Sequence, residues 1–163
     1  MAVELVRAHA GHVGTIAARM RNIDRMETEA FGRSPKQALR LGIRGSTIAL
    51  TAKVDGRPEA MMGLVPVDLL SGKGTPWFLG TDEVYRHGRE MIAWGPQILA
   101  QMLAVTPHLE NHVASINSKA IRLLRAWGFA VEREANSIGG VDFFRFHMGR
   151  EECVPTPHEL ESC

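Results

Sequence analysis

Between Thr47 and Gly80, three segments rich in β-forming residues follow one another with only turn residues between them. Thr47 to Val54 runs into Asp55-Gly56, a dipeptide that accepts the positive φ of a two-residue hairpin turn, and Glu59 to Val67 resumes as a strand. Gly72-Lys73-Gly74 marks the next turn, and TPWFLG, Thr75 to Gly80, reads as a short buried strand. Consecutive strands of this kind build a sheet, and a sheet must bury its apolar face against another layer. The rest of the chain has to provide that layer.

Helical spacing provides it on both sides of the strand run. Val13, Ile16, Ala17, Met20 and Ile23 recur on one helical face, and a second helical stretch covers about Asp24 to Phe31. Ser34-Pro35 then starts a short helix ending near Gly42 to Gly45, because Ser can accept from an orphan N–H and Pro suits a first turn whose N–H has no partner anyway. Downstream, Glu83 to Val105 reads as helical, with a kink or split expected at Gly95-Pro96, where a donor is missing and the ring clashes. Ser118 to Trp127 carries Ala120, Leu123, Leu124 and Trp127 on one side, and Gly128 suits the left-handed cap that ends a helix. Strands are also expected at Val3 to Arg7, at Leu109 to Ile116, and as a final antiparallel pair, Val131 to Glu134 with Phe143 to Met148, across the turn Asn136 to Gly140.

The resulting order is β, α, α, α, β, β, β, α, β, α, β, β, with no internal repeat. It predicts an α/β (α+β) fold in which helices flank a mixed central sheet. A chain of 163 residues suits one such domain, expected over 1–149, with 150–163 as a tail outside the core because of its two prolines and several charges. Trp77, Trp94, Trp127, Phe129 and the pairs Phe143-Phe144 and Met61-Met62 are core candidates, and in each pair the two residues must point to opposite faces of the sheet.

Charge and cysteine usage narrow the function classes. With 19 Lys plus Arg against 18 Asp plus Glu, the net charge of +1 provides no pull toward nucleic acid. No window approaches the roughly 20 apolar residues of a membrane helix, and MAVELVRAHA lacks a signal-peptide layout, so a cytoplasmic product is expected. Cys153 and Cys163 fall in the tail and read as incidental thiols. His108 and His112 lie four apart in a strand, which does not make them helical co-ligands, and no metal site is expected.

NSKAIRLLRAWGF, Asn117 to Phe129, resembles the motif that follows the fifth strand of GNAT acyltransferases: Asn, then Ala three later, then Gly-Phe at eleven and twelve. RNIDRMETEAFG near the start, PWFLGT, PHLENHVASIN and AWGF resemble a group of small proteins of tailed phages, themselves GNAT-like and related to the internal virion proteins of short-tailed phages. The resemblance spans roughly Val3 to Gly149 and implies a GNAT-like mixed sheet.

The resemblance also implies where a thioester cofactor would lie. Backbone donors at the end of the fourth strand, Leu79, Gly80 and Thr81, would hold the pantetheine arm, and a glycine-rich turn would hold the diphosphate at a helix N-terminus. The family pattern there is Gln or Arg, two residues, Gly, one residue, Gly or Ala. Asp82 to Glu90 instead carries a single glycine, Gly88, out of register behind two acidic residues, which leaves Arg86, His87 and Arg89 to provide side-chain charge or the segment to be a solvated helix start. Leu124 stands where many family enzymes place a tyrosine acid, and Tyr85 is the chain's single tyrosine. Asn117 reads either as a helix cap or as a ligand-binding amide. Glu27 and Asp82 are base candidates by position, and each also reads as solvated surface.

The expectation from these substitutions is a phage virion-associated or assembly protein, with reduced or lost acyl transfer and no cofactor. Its partners would be other virion proteins or further copies of itself, in the host cytoplasm during infection and in the virion. The alternative is an acetyl-CoA-dependent N-acyltransferase acting on a host or phage amine. A third reading is a regulatory module that binds another small ligand in the cleft.

Overall fold

The three consecutive strands form the middle of a seven-stranded sheet in a computed structural model that describes residues 3–68 and 70–149. Residues 150–163, with Cys153, Cys163 and the expected tail, lie outside the described residues. Strand β2 (Ile48–Val54) turns through Asp55 and Gly56, whose φ values of 48° and 82° suit a hairpin turn with two left-handed residues, into β3 (Arg57–Asp68). β3 pairs antiparallel with β4 (Lys73–Gly80), and β1 (Val3–Arg7) closes one edge against β2. On the other side lie β5 (His108–Ala114), β7 (Val141–Gly149) and β6 (Ala130–Ile138), giving the order β1-β2-β3-β4-β5-β7-β6. The β4–β5 pair is parallel, and parallel neighbours need a long crossover. Here α4 (Asp82–Tyr85) and α5 (Gly88–Val105) make it.

Helices α1 (Val13–Ala18), α2 (Asn22–Ala30) and α3 (Pro35–Gly45) cover one face, while α5 and α6 (Ser118–Ala126) cover the other. The pair Met61-Met62 shows why two layers are required. Met61 packs with Ile16 and Leu39, whereas Met62 packs with Leu99 and Met102 on the opposite side. Phe143 likewise meets Phe31, the residue that ends α2, ring centres 5.4 Å apart, while Phe146 meets Phe129 at 5.1 Å. Each fully buried one, such as Met61, Leu39 and Phe143, stabilises the fold by about 1.5–3 kcal/mol. The cap predicted at Ser34 is a full capping box with Gln37, and Gly128 takes a φ of 97° at the end of α6.

Three expectations need correction. The apolar spacing from Val13 to Ile23 does not make one helix. α1 stops at Ala18, and Met20 bridges Thr81 while the Arg21 N–H donates to the Gly80 carbonyl at 3.0 Å, so 19–21 is drawn out along the end of β4. The final turn is tighter than expected, at Gly139-Gly140, and both strands run up to it. Lastly, Gly95-Pro96 does not split the long helix. α5 continues through Pro96, and the break comes earlier, at Arg86-His87. Trp127 lies on Gly95 and its indole N–H donates to the Met91 carbonyl at 3.0 Å, pinning the helical turn that leads into the proline.

A Cβ at position 95 would collide with the Trp127 indole. Gly95→Val is therefore expected to destabilise by about 1–3 kcal/mol through overpacking, which in a chain of this length lowers Tm by several degrees. Gly14→Ala, where nothing lies within 4 Å, is the control and should leave Tm level or raise it. An unchanged melt for the valine variant would contradict this packing.

Candidate functional site

β4 and β5 start side by side, at Lys73↔His108 and Gly74↔Leu109, and then diverge. The Thr81 N–H donates to the Glu59 carbonyl at 2.8 Å, which fixes the alternation of the β3–β4 ladder. Pro76, Phe78 and Gly80 consequently turn their backbone polar groups away from β3 and toward the gap. The Gly80 N–H donates to Asp24 Oδ2 at 2.9 Å, and its carbonyl accepts from Arg21. Pro76 has no N–H, and its carbonyl accepts from Asn111 Nδ2 at 2.8 Å. That leaves the N–H and C=O of Phe78 facing the gap among the described residues.

The gap opens a cavity of about 550 Å³ that passes through the sheet. Phe78, Tyr85, Leu99, Ala120, Leu124 and Trp127 line it on the α5–α6 side. Glu27, Phe31, Leu41, Trp77, His112 and Phe143 line it on the side of α2 and α3. Phe78 and Tyr85 meet edge to face at 6.1 Å.

A buried polar cluster closes the wide end of the gap. Arg21, 5% exposed, pairs with Asp24 at 3.1 Å, donates to Asn117 Oδ1 at 3.2 Å, and stacks over the Tyr85 ring at 4.0 Å. Asn117 caps α6 by accepting from the Ala120 N–H at 3.4 Å, and its Nδ2 donates to Glu27 Oε1 at 2.9 Å. The cap reading of Asn117 is realised, and the rest of its amide is engaged by Glu27 and Arg21. Glu27 Oε1 also accepts from the Ala114 N–H at 3.0 Å, while Oε2 has no hydrogen-bond partner among the described residues.

Burial sets the protonation of this cluster. It raises the Asp24 carboxyl to about 7, against the opposing pull of Arg21 and the Gly80 N–H. Burial also raises Glu27, opposed by its bonds from Asn117 and Ala114. The Tyr85 phenol is pushed up first by burial and then by the Asp24 charge, so it keeps its proton through the neutral range.

The other residues singled out from sequence are placed as follows. Leu79 lines the cavity, packed toward Met61 and α1. Thr81 is buried and turned to β3, its hydroxyl donating to Glu59. Burial disfavours the Glu59 charge, but bonds from Arg19, Thr81 and Arg57 outweigh it and hold this carboxyl below its usual range, anchoring the end of β4. Asp82 is 79% exposed, 3.7 Å from the Arg21 guanidinium, as a solvated helix start requires. Glu27 is not on a solvated surface but in the cavity wall. Arg86 is exposed and bonded to Glu83, while Gly88 and Arg89 open α5. Arg21 and Asp24 were not singled out. Their spacing of three at a helix start is a readable ion-pair signal.

No protein-family model matches the sequence, and no curated protein matches it. Solved structures do. A GNAT-family acetyltransferase from Streptococcus pneumoniae superposes with a TM-score of 0.60 at 13% identity, over 91% of this chain and 100% of that one. The spermidine N-acetyltransferase of Vibrio cholerae, solved with CoA and spermine, gives 0.59 at 14% identity, over 90% and 95%. The ribosomal-protein-alanine N-acetyltransferase of Brucella melitensis gives 0.60 at 13%, over 90% and 99%. This chain has the GNAT acetyltransferase fold.

The gap between β4 and β5 is where a coenzyme A arm would enter. It provides an apolar slot and one backbone donor-acceptor pair at Phe78. The first amides of α5, at Gly88, Arg89 and Glu90, carry no side-chain cap, and Arg86 and Arg89 lie beside them. Counted from Arg86, the glycines of the diphosphate pattern fall on Arg89 and on Met91, which is 1% exposed. A diphosphate would therefore rely on helix amides and arginine charge rather than on a glycine turn.

Proposed function

We propose that the chain is an acyl-CoA-dependent N-acyltransferase. The observation that carries this reading is the gap between β4 and β5, with the Phe78 backbone pair on one side and the uncommitted Oε2 of Glu27 on the other. Coenzyme A, when bound, supplies an activated acyl carbonyl and a thiolate leaving group. Phe78 and the apolar wall from Leu99 to Trp127 would hold its arm and exclude water. Glu27, its carboxyl raised by burial, takes the proton that the acceptor amine must lose. Tyr85 is the one phenol in the cavity wall; burial makes it a weaker acid than a free phenol, so toward the leaving thiolate it would act as a hydrogen-bond donor where Leu124 offers none.

Calorimetry with acetyl-CoA tests the reading. Micromolar binding is expected, and the double variant Arg86→Glu, Arg89→Glu should weaken it at least ten-fold, since each hydrogen bond to a charged group contributes about 1.5–3 kcal/mol. Absence of binding to the native chain would sink it.

A second reading has its own support. The Gly80 amide is already taken by Asp24, Leu124 replaces the usual acid, and the diphosphate glycines are missing. These features favour a virion-associated or assembly protein of a phage that keeps the fold as a scaffold, as the phage resemblance of PWFLGT and PHLENHVASIN suggests. It would act in the host cytoplasm and in the particle, against other virion proteins or its own copies. Mass spectrometry of purified particles should then find several copies per particle, together with no acetyl-CoA binding.

A further inference from the structure

We infer that the amine accepted on the α2–α3 side of the cavity is a primary monoamine on an apolar or aromatic body, and not a polyamine. This rests on the acyltransferase reading for the transfer step, but the amine site stands on its own geometry.

Charge sets the number of ammonium groups. Two carboxylates reach the cavity wall, Asp24 and Glu27. Both oxygens of Asp24 are committed, one to the Gly80 N–H and one to Arg21. Glu27 keeps Oε2 free among the described residues, held in place because Oε1 is fixed by Ala114 and Asn117. One oriented anionic oxygen matches one ammonium. A second ammonium would enter a wall without a carboxylate for it, and a desolvated charge without a partner is strongly unfavourable.

Its neighbours strengthen the choice. Arg33, just past the end of α2, lines the cavity and has no ion pair with a described residue, so it repels a second cation. On the α2–α3 side the wall carries Trp77, Phe143 and, at 46% and 42% exposed, Phe31 and Leu41, beside the polar Thr28 and His112. Exposed apolar side chains at the rim of a cleft gain by covering an apolar ligand. An aromatic or branched aliphatic amine satisfies the anion, the cation and the apolar rim at once.

Calorimetry of the full chain with phenethylamine and with spermidine provides the test, alongside acetylation of each from acetyl-CoA. Phenethylamine should bind at least ten-fold more tightly than spermidine. Glu27→Gln should lose ten-fold or more of that affinity, and Leu41→Ser, at an exposed position, should weaken phenethylamine alone. Arg33→Glu should narrow the gap by improving spermidine. Spermidine binding as tightly as phenethylamine, or a Glu27→Gln variant that melts normally and binds unchanged, would overturn the inference. Acetylation of spermidine in preference would also overturn it while leaving the acyltransferase reading intact. Phenethylamine binding through Glu27 without acetylation would support the amine site and remove the acyltransferase reading instead.

Discussion

Arg21→Leu is expected to cost about 3–5 kcal/mol of unfolding free energy at pH 8, because removing one partner of a buried pair leaves an uncompensated charge. Asp24, 2% exposed, would be left with the Gly80 N–H alone, and Asn117 and Tyr85 would lose the cation they surround. For a chain of this size that is a fall in Tm on the order of 10 °C. The cost should depend on pH in a defined sense. The Asp24 carboxyl is raised from 3.8 to about 7, so the folded state binds its proton more tightly than the unfolded chain. Its contribution to stability is complete below the unfolded value and is lost as pH rises through the folded one, in total roughly 4 kcal/mol. Glu27 acts in the same sense. His12, lowered first by burial, acts oppositely and loses stability as pH falls below its ordinary value of 6.5. His12 is common to every variant, so differences between variants cancel it.

Urea unfolding at pH 5 and pH 8 checks this. Arg21→Leu should be much less damaging at pH 5, where Asp24 holds its proton. Asp24→Asn should flatten the dependence relative to the native chain. Equal penalties for Arg21→Leu at the two pH values would show that Asp24 is not the charge that Arg21 compensates.

The largest effect on activity is expected from Glu27→Gln. Under the acyltransferase reading, kcat/KM for amine acetylation should fall by about 10²–10⁴, the usual contribution of a positioned base. Gln keeps an oxygen to accept from Ala114 and Asn117, so the fold and acetyl-CoA affinity should be retained. The native enzyme should also lose kcat/KM as pH falls through the Glu27 value, which burial lifts above 4.5, and the variant should lack that limb. Persistence of full activity in Glu27→Gln would move the base elsewhere, with His112 next in the cavity wall.

Local chemistry made most of the fold legible. Asp55-Gly56 read as a tight turn, the cap expected at Ser34-Pro35 formed and Gln37 completed it as a capping box, and Gly128 ended α6 with positive φ. Where local signals misled, a distant partner had won. Helical spacing across 13–23 gave way because the Arg21 amide bonds the Gly80 carbonyl, and Gly95-Pro96 stayed helical because Trp127, some thirty residues on, braces it. Glu27 was recognised as a candidate by position, yet its solvated reading failed because α2 docks it against the end of β5.

The order of strands and helices, the caps at Ser34 and Gly128 and the Asp55-Gly56 turn belonged to the sequence alone, since period and backbone preference act over a few residues. The functional cleft did not. Arg21 and Asn117 are 96 positions apart, and whether the β4–β5 ladder ends at Gly74 depends on how each strand pairs with its other neighbour. Long-range pairing and burial are properties of the assembled sheet, so only the tertiary structure could decide which carboxylate lost water, which oxygen stayed free, and where the sheet parts.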